Sequence, residues 1–419
     1  MDLASKLFKG DRVIWLIFMF LCLVSLVEVF SATSTLAYRN ANHWAPIVRH
    51  ASFLLVGFIC VLVIHNVPTK YLSVFTVLLP VSVIMLLITP VLGEEVNGAG
   101  RWLWGIQPSE IAKLASVVYI AFILSRTQNM TGVQQFKYIL IGVGAVCLLI
   151  LPENFSTAFM LFGVCFLMLF VGLLPIKLLL KTIVVLILGA VLFLSLCMAP
   201  DSVHKYLPDR FNTWKARIER FSDTDPWTQK VKSGNFEGLG NIPDEILQET
   251  HAKIAIARGG VVGNLPGYGQ QRDFLPQAYS DFIYAIIIEE LGVTGGLVVL
   301  FLYVFLLIRV GIIARKCDKL FPKYLVLGCG LLIVIQAIAN MSVAVGLIPV
   351  TGQPLPLVSR GGTSTILSCV YIGIILSVSR FSAKMGEEEV EDEEATEEVG
   401  EAAVVTEASN ARASLESII

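Results

Sequence analysis

Charge is scarce in this sequence. Only 15% of its 419 residues are Asp, Glu, Lys or Arg, while 55% are hydrophobic. That balance excludes an ordinary soluble domain, in which about 25% of residues are charged. Zinc-type and disulfide spacings are also lacking. The eight cysteines, Cys22, Cys60, Cys147, Cys165, Cys197, Cys317, Cys329 and Cys369, lie almost entirely inside apolar runs, and none falls in the one long polar stretch. With a formal net charge of −2 and no basic domain, nucleic-acid binding gets no support. A cleavage site is lacking too. The first apolar run follows Lys6, Lys9 and Arg12 as in a signal peptide, but it continues to about Phe30 without a small-residue cleavage motif, so it reads as a retained span.

What is abundant is long apolar sequence, with a mean hydropathy of +0.75. Windows of roughly 20 apolar residues fall near 13–31, 47–65, 71–92, 110–126, 137–151, 155–174, 177–198, 281–308, 324–348 and 362–380. They predict an all-α polytopic membrane protein of about ten transmembrane helices. The windows at 110–126 and 137–151 are short, and losing either would reverse the sidedness of everything after it. Lys and Arg counts in the short connections support all ten. With a cytoplasmic N-terminus, the inner connections carry Lys70, Arg126, Lys137, Lys177, Lys181, Arg309, Arg315, Lys316, Lys319, Lys323, Arg380 and Lys384. The short outer connections carry only Arg39, Arg49, Arg101 and Arg360.

The plan that follows has a cytoplasmic N-terminus at 1–12 and helices one to seven over 13–198. A large extracytoplasmic loop spans 199–280, helices eight to ten span 281–382, and a disordered acidic cytoplasmic tail covers 383–419. Within the loop, Phe211, Trp214, Ile218 and Phe221 recur at helical spacing among Arg210, Lys215, Arg217, Glu219 and Arg220. This predicts an amphipathic helix on the headgroup layer with its bases toward membrane lipids. A surface helix with snorkelling charges fits the same pattern.

Four polar constellations fall on one face of the membrane. In Asn97 to Lys113, Pro108 suits a helix start and Trp102 and Trp104 suit an interfacial belt, but Lys113 lies about one turn inside an apolar helix and needs a partner. Glu110, at i−3, is the nearest candidate, and a ligand phosphate is the alternative. Pro152-Glu153-Asn154 forms a tight turn in which Glu153 is either a solvated or capping acid or a site residue. From Gly346 to Ser364, three prolines and the glycines specify a non-helical loop. There Arg360 precedes a new helix start at Gly361-Gly362-Thr363, a good place for an anion or simply a loop and cap. Gln336 and Asn340 on the preceding helix suit helix–helix contacts. Finally, Asp281 follows Ser280 at a predicted helix start, with Glu289 and Glu290 further along. Asp281 reads as an acid favouring the helix dipole or as a catalytic group. Glu289 is a candidate for lining the same cavity, and Glu290 points nearly opposite and pairs elsewhere.

Together these stretches resemble the SEDS family of shape, elongation, division and sporulation proteins, which includes FtsW and RodA. The resemblance covers roughly residues 10 to 382. It rests on Asn97-Gly-Ala with Arg101-Trp102, Gln107-Pro-Ser-Glu110 with Lys113-Leu-Ala, Ile256 to Gly269, Leu275 to Gly292, and Gly346 to Ser364. The segment from Arg101 to Gln107 is shorter than the family's, the Glu153 turn and Ser359-Arg360 are variants, and residues near 230–246 are extra.

The resemblance implies a peptidoglycan glycosyltransferase that polymerises lipid II into a growing glycan strand at the outer face of the cytoplasmic (inner) membrane. The Pro354–Ser359 stretch looks more like division-type FtsW, which implies a role at the septum. A lipid II transporter and an elongation-type RodA polymerase are the alternatives. Asp281 maps to the family's essential aspartate, as base or as ligand of a divalent cation, Mg or Mn. Arg101 and Lys113 map to the Arg and Lys of the family's two motifs there, and Glu110 to the Glu of the second. With Arg210, Arg217, Arg360, Ser359 and Thr363 they are the candidates for holding substrate and its diphosphate. The implied partners are a class B penicillin-binding protein (a transpeptidase) and other division proteins.

Overall fold

The computed structural model describes residues 8–33, 44–96, 99–127, 129–197, 215, 244–275 and 278–382. Long apolar runs become helices because a helix satisfies its own backbone where lipid offers no hydrogen bonds. In chain order they are α1 (Arg12–Ala32), α2 (Ala45–Ile64), α3 (Thr69–Leu92, with a 3-10 turn at Ser73–Val77), α4 (Pro108–Arg126), α5 (Gly132–Ile150), α6 (Phe155–Val171) and α7 (Ile176–Cys197). They continue as α8 (Asp244–Gly259), α9 (Ile283–Arg315), α10 (Leu320–Ala344) and α11 (Thr363–Ser382). Among the described residues nine of these are long and apolar enough to cross a membrane. The tenth expected span is α6, whose 17 residues reach only about 25 Å. The two short windows become full helices, starting two and five residues earlier than expected, and α8 is not a span. Against the all-α expectation there is one small addition. Glu94–Val96 and Ala99–Trp102 pair as an antiparallel hairpin, with Glu94 opposite Trp102.

Local chemistry sets the helix starts. Asp11 caps α1, its carboxylate accepting from the amides of Val13 and Ile14 at 2.9 and 3.1 Å, and Arg309 of α9 reaches the same carboxylate at 2.5 Å. Thr131 and Gln134 form a reciprocal capping box on α5. Asn154 caps α6 through the Thr157 amide. Burial divides the bundle. Most of α4, α10 and α11 is enclosed, while α7 and α2 present most of their surface outward. Where α10 crosses α4 and α6, a Cβ on Gly328 would come within 2.5 Å of Val117 and 2.8 Å of Met168, so glycine permits that close packing.

The helix α9 is broken. Gly292 has φ +73° and ψ 178°, which removes the bonds an unbroken helix would form from Val293 to Glu289 and from Thr294 to Glu290. The segment after α8 fills both gaps. Asn264 N donates to Glu289 O at 3.1 Å and Leu265 N to Glu290 O at 2.8 Å. Val293 N and Thr294 N donate to Gly260 O and Val261 O at 2.9 and 3.3 Å. The approach is backbone to backbone: a Cβ on Gly292 would lie 2.2 Å from Val261 O, and one on Gly263 2.3 Å from Glu290 O.

Gly292→Ala combines a disfavoured φ with that clash, so a loss of about 1–3 kcal/mol is expected, read as a lower thermal unfolding midpoint in detergent. Gly311→Ala, on the same helix with nothing near its Cβ position, should unfold no earlier than the unmutated chain.

Candidate active site

The buried face of α4 carries charge that lipid cannot accept, and α10 meets it with neutral amides. Lys113 is fully buried on α4; its Nζ lies 2.7 Å from Glu110 Oε1 and donates to Gln336 Oε1 on α10 at 2.8 Å. The i−3 pairing expected from the sequence is thus present, with Gln336 added from another helix. An ammonium has three N–H groups, so two partners leave one for a further acceptor. Gln336 in turn donates to Pro354 O at 3.0 Å. One turn on, Asn340 Nδ2 donates to both Gln353 O and Asp281 O at 2.8 Å. Gln353 Nε2 donates to Thr157 Oγ1 at 2.7 Å. Gln336 and Asn340, at i and i+4 on one helix face, therefore tie Lys113, the 351–361 loop and the Asp281 backbone into one polar frame. The turn of Glu153 joins it through Thr157.

Asp281 stands just outside α9, which begins at Ile283 with Phe282 in the cap position. It is half-buried, its Oδ1 accepts from Ser280 Oγ at 2.9 Å, and its Oδ2 faces Gly352, where a Cβ would lie 3.7 Å away. The 351–361 loop is clasped to the backbone just before this carboxylate. Ser359 Oγ donates to Ser280 O at 2.6 Å and accepts from Leu355 N at 2.7 Å, and Arg360 N donates to Tyr279 O at 2.9 Å. The Arg360 guanidinium lies 5.2 Å from the Tyr279 ring centroid. Burial lowers its pKa from the ordinary arginine value, opposed by Tyr279 and assisted by Arg49. Around the same frame Asn340 Oδ1, Thr351 Oγ1, Gln353 Oε1 and Thr363 Oγ1 are buried with no hydrogen-bond partner among the described residues. Such atoms are costly inside a protein unless a ligand or water meets them.

The expected site residues separate accordingly. Asp281, Lys113, Glu110, Arg360, Ser359 and Thr363 are drawn to one region, although the hydroxyl of Ser359 is occupied in holding the loop. Glu153 is half-buried at the adjoining turn. Arg101 belongs to the hairpin beside α4, and its side chain lies outside the described residues, as do Arg210 and Arg217 with the amphipathic helix proposed for them.

Glu289 is placed differently from the expectation that it lines the cavity. It is fully buried, and its carboxylate accepts from Gln270 N at 2.9 Å and from Gln271 N at 3.1 and 3.2 Å. Its carboxylate fastens the incoming loop. Glu290 does pair elsewhere: it accepts from Gly267 N at 3.1 Å and from Ser31 Oγ, with Arg272 Nη1 3.6 Å away. The contributions of Thr157 and Gln353 were not anticipated. Both are neutral polar residues with no periodic signal, and only proximity reveals them. No group of three or more His, Cys, Asp or Glu that could hold a metal occurs among the described residues.

Comparison with known proteins bears on this geometry. Residues 11–384 match the family of FtsW, RodA and SpoVE, described as cell cycle protein. A probable peptidoglycan glycosyltransferase FtsW from Pseudomonas fluorescens is 30% identical over 384 residues, covering 88% of this chain and 88% of its own. Among solved structures, a chain from work on polymerization and crosslinking by a peptidoglycan synthase complex aligns with a TM-score of 0.66 at 23% identity. It covers 89% of this chain and 98% of that one. Thermus thermophilus rod shape determining protein RodA aligns with a TM-score of 0.61 at 21% identity, covering 88% and 97%. These structural likenesses bear on the fold.

Lys113→Met would leave Glu110 as an uncompensated buried charge, an expected loss of about 3–5 kcal/mol. Thermal unfolding of the purified chain should show that loss largely recovered in the double variant Glu110→Leu/Lys113→Met.

Proposed function

Because the chain belongs to the FtsW, RodA and SpoVE family of cell cycle proteins, we propose that it is a peptidoglycan glycosyltransferase that polymerises lipid II in septal wall synthesis. The observation that carries this reading is the buried frame that joins Lys113, through Gln336 and the 351–361 loop, to Asp281. The reaction takes place at the outer face of the cytoplasmic membrane, with both termini inside, as the distribution of Lys and Arg favours.

In the proposed mechanism the 4-hydroxyl of an incoming lipid II attacks the anomeric carbon of the lipid-linked glycan strand. Undecaprenyl diphosphate leaves with inversion. Asp281 takes the hydroxyl proton, a role that needs a carboxylate held in place but open to substrate. The backbone bond from Asn340 and the clasp of Ser359 supply the holding. Departure of the diphosphate needs fixed positive charge. Arg360 supplies it from the loop clasped beside Asp281, and the remaining N–H of Lys113 supplies it from within the bundle, with Glu110 orienting that ammonium. Arg101, Arg210 and Arg217 are further cations proposed for the substrate, with Thr363, whose hydroxyl has no partner among the described residues, and Glu153 is proposed to line the same cavity.

A divalent ion, Mg or Mn, would be held by Asp281. It would supply neutralisation of the leaving group. The proposed partner is a class B penicillin-binding protein acting as transpeptidase, alongside other division proteins; the solved structural relative comes from work on a synthase complex that polymerises and crosslinks.

The purified chain given labelled lipid II should yield glycan strands, and Asp281→Ala should reduce their formation by about 10²–10⁴-fold with the unfolding midpoint preserved. Strand formation that survives the substitution would sink the assignment, and translocation of lipid II without any polymer would favour a transporter.

A further inference from the structure

The splice at Gly292 has a depth, and that depth assigns a surroundings to the segment that makes it. The Asp11–Arg309 pair marks one boundary of the bundle, where charge is tolerated. Gly292 is 17 residues from Arg309 along α9, or about 25 Å, inside a hydrocarbon core about 30 Å thick. Residues 260–265 are hydrogen-bonded to Glu289, Glu290, Val293 and Thr294 on both sides of that break, so they share its depth.

Irregular backbone at such a depth persists only when its polar groups are satisfied within the protein, and the four backbone bonds of the splice, with Gly263 N on Gly259 O and Gly267 N on the Glu290 carboxylate, answer part of that demand. The side chains are equally suited to it. Gly260 to Tyr268 contains no charged residue, and charges resume only at Arg258 on one side and Arg272 on the other. Arg272 turns inward to Ser31 Oγ at 2.6 Å. Val261, Val262, Leu265 and Tyr268 face outward, 64–78% exposed.

We propose that the Gly260–Tyr268 segment is a re-entrant anchor whose outward side chains are covered by acyl chains of the leaflet opposite the Asp11–Arg309 pair. Part of the long loop between α7 and α9 is thereby membrane-embedded, and it fixes the break in α9 from the lipid side. This placement is independent of the enzymatic reading.

The test uses the full chain in nanodiscs of phosphatidylethanolamine and phosphatidylglycerol without substrate, so that no substrate tail can occupy the surface. A nitroxide is attached at Val262→Cys and, separately, at Leu265→Cys and Tyr268→Cys. The background from native cysteines, all buried or half-buried among the described residues, is subtracted using the unmutated chain. Collision rates with oxygen and with a water-soluble nickel chelate are then compared.

At folded positions oxygen should exceed the chelate several-fold, as at Ile187→Cys on the outward face of α7. The order should reverse at Met130→Cys in the short connection between α4 and α5. Chelate access matching that of Met130→Cys would overturn the proposal. So would exclusion of both reagents, which would mean that protein, a second copy or a partner, covers the surface. Three positions are used so that one misfolded variant, recognised by its unfolding midpoint, does not decide the result.

Discussion

Lipid offers the helices of this bundle no hydrogen bonds, and that constraint organises the molecule. A backbone break or a charge enclosed by the helices is costly unless it finds a partner. Where the chain is regular, the helices meet the demand by themselves. Where it is irregular, at Gly292 and across residues 351–361, the partners come from distant segments, and the second of these is tied to the backbone of Tyr279 and Ser280 beside Asp281. The exceptional backbone is thus an extended answer to one solvation problem.

The same constraint explains the composition of the polar frame. Lys113 could not be enclosed without Glu110, yet an ion pair alone leaves hydrogen-bonding capacity unfilled. Gln336 takes up part of it with a neutral amide, and Asn340, one turn on, carries the same chemistry to two backbone carbonyls. An amide can bridge an ammonium and a carbonyl, as Gln336 does, or two carbonyls, as Asn340 does, without adding charge. The result is a rigid surround for a half-buried carboxylate. Rigid placement is what a group must have if it is to take a proton in a fixed geometry.

Glu289 and Glu290 show how neighbouring residues of one type acquire different tasks. Both carboxylates are buried at the break in α9, and both hold the loop that repairs it, one through the amides of Gln270 and Gln271 and the other through Gly267 with Ser31 and Arg272. Bound this way they stabilise the platform from which Asp281 projects, eight residues upstream of Glu289, and their role in the site is indirect. The glycines at 259, 263, 267, 269 and 292 belong to the same construction: at Gly263 and Gly292 a side chain would collide with backbone that has to approach closely.

Much was legible from the amino-acid order alone. Lipid imposes length and hydrophobicity on every span, so the spans appear directly as apolar runs, with α6 marginal because it is short. The Lys113–Glu110 pair was legible because helical spacing fixes which neighbours a buried charge can reach, and Asp281 and the 346–364 loop stood out as polar or proline-rich residues beside apolar runs. Helix periodicity could not say which carboxylate of the α9 entry faces the site. Glu289 lies less than a quarter turn from Asp281 by projection, but the break at Gly292 and the loop packed against it enclose it instead. Nor could spacing connect Gln353 to Thr157, or Asn340 to Asp281, since those contacts join segments far apart in the chain through neutral groups that carry no pattern. Local geometry and the solvent determine what one helix must look like, and only the packing of several helices decides which polar groups are left to meet.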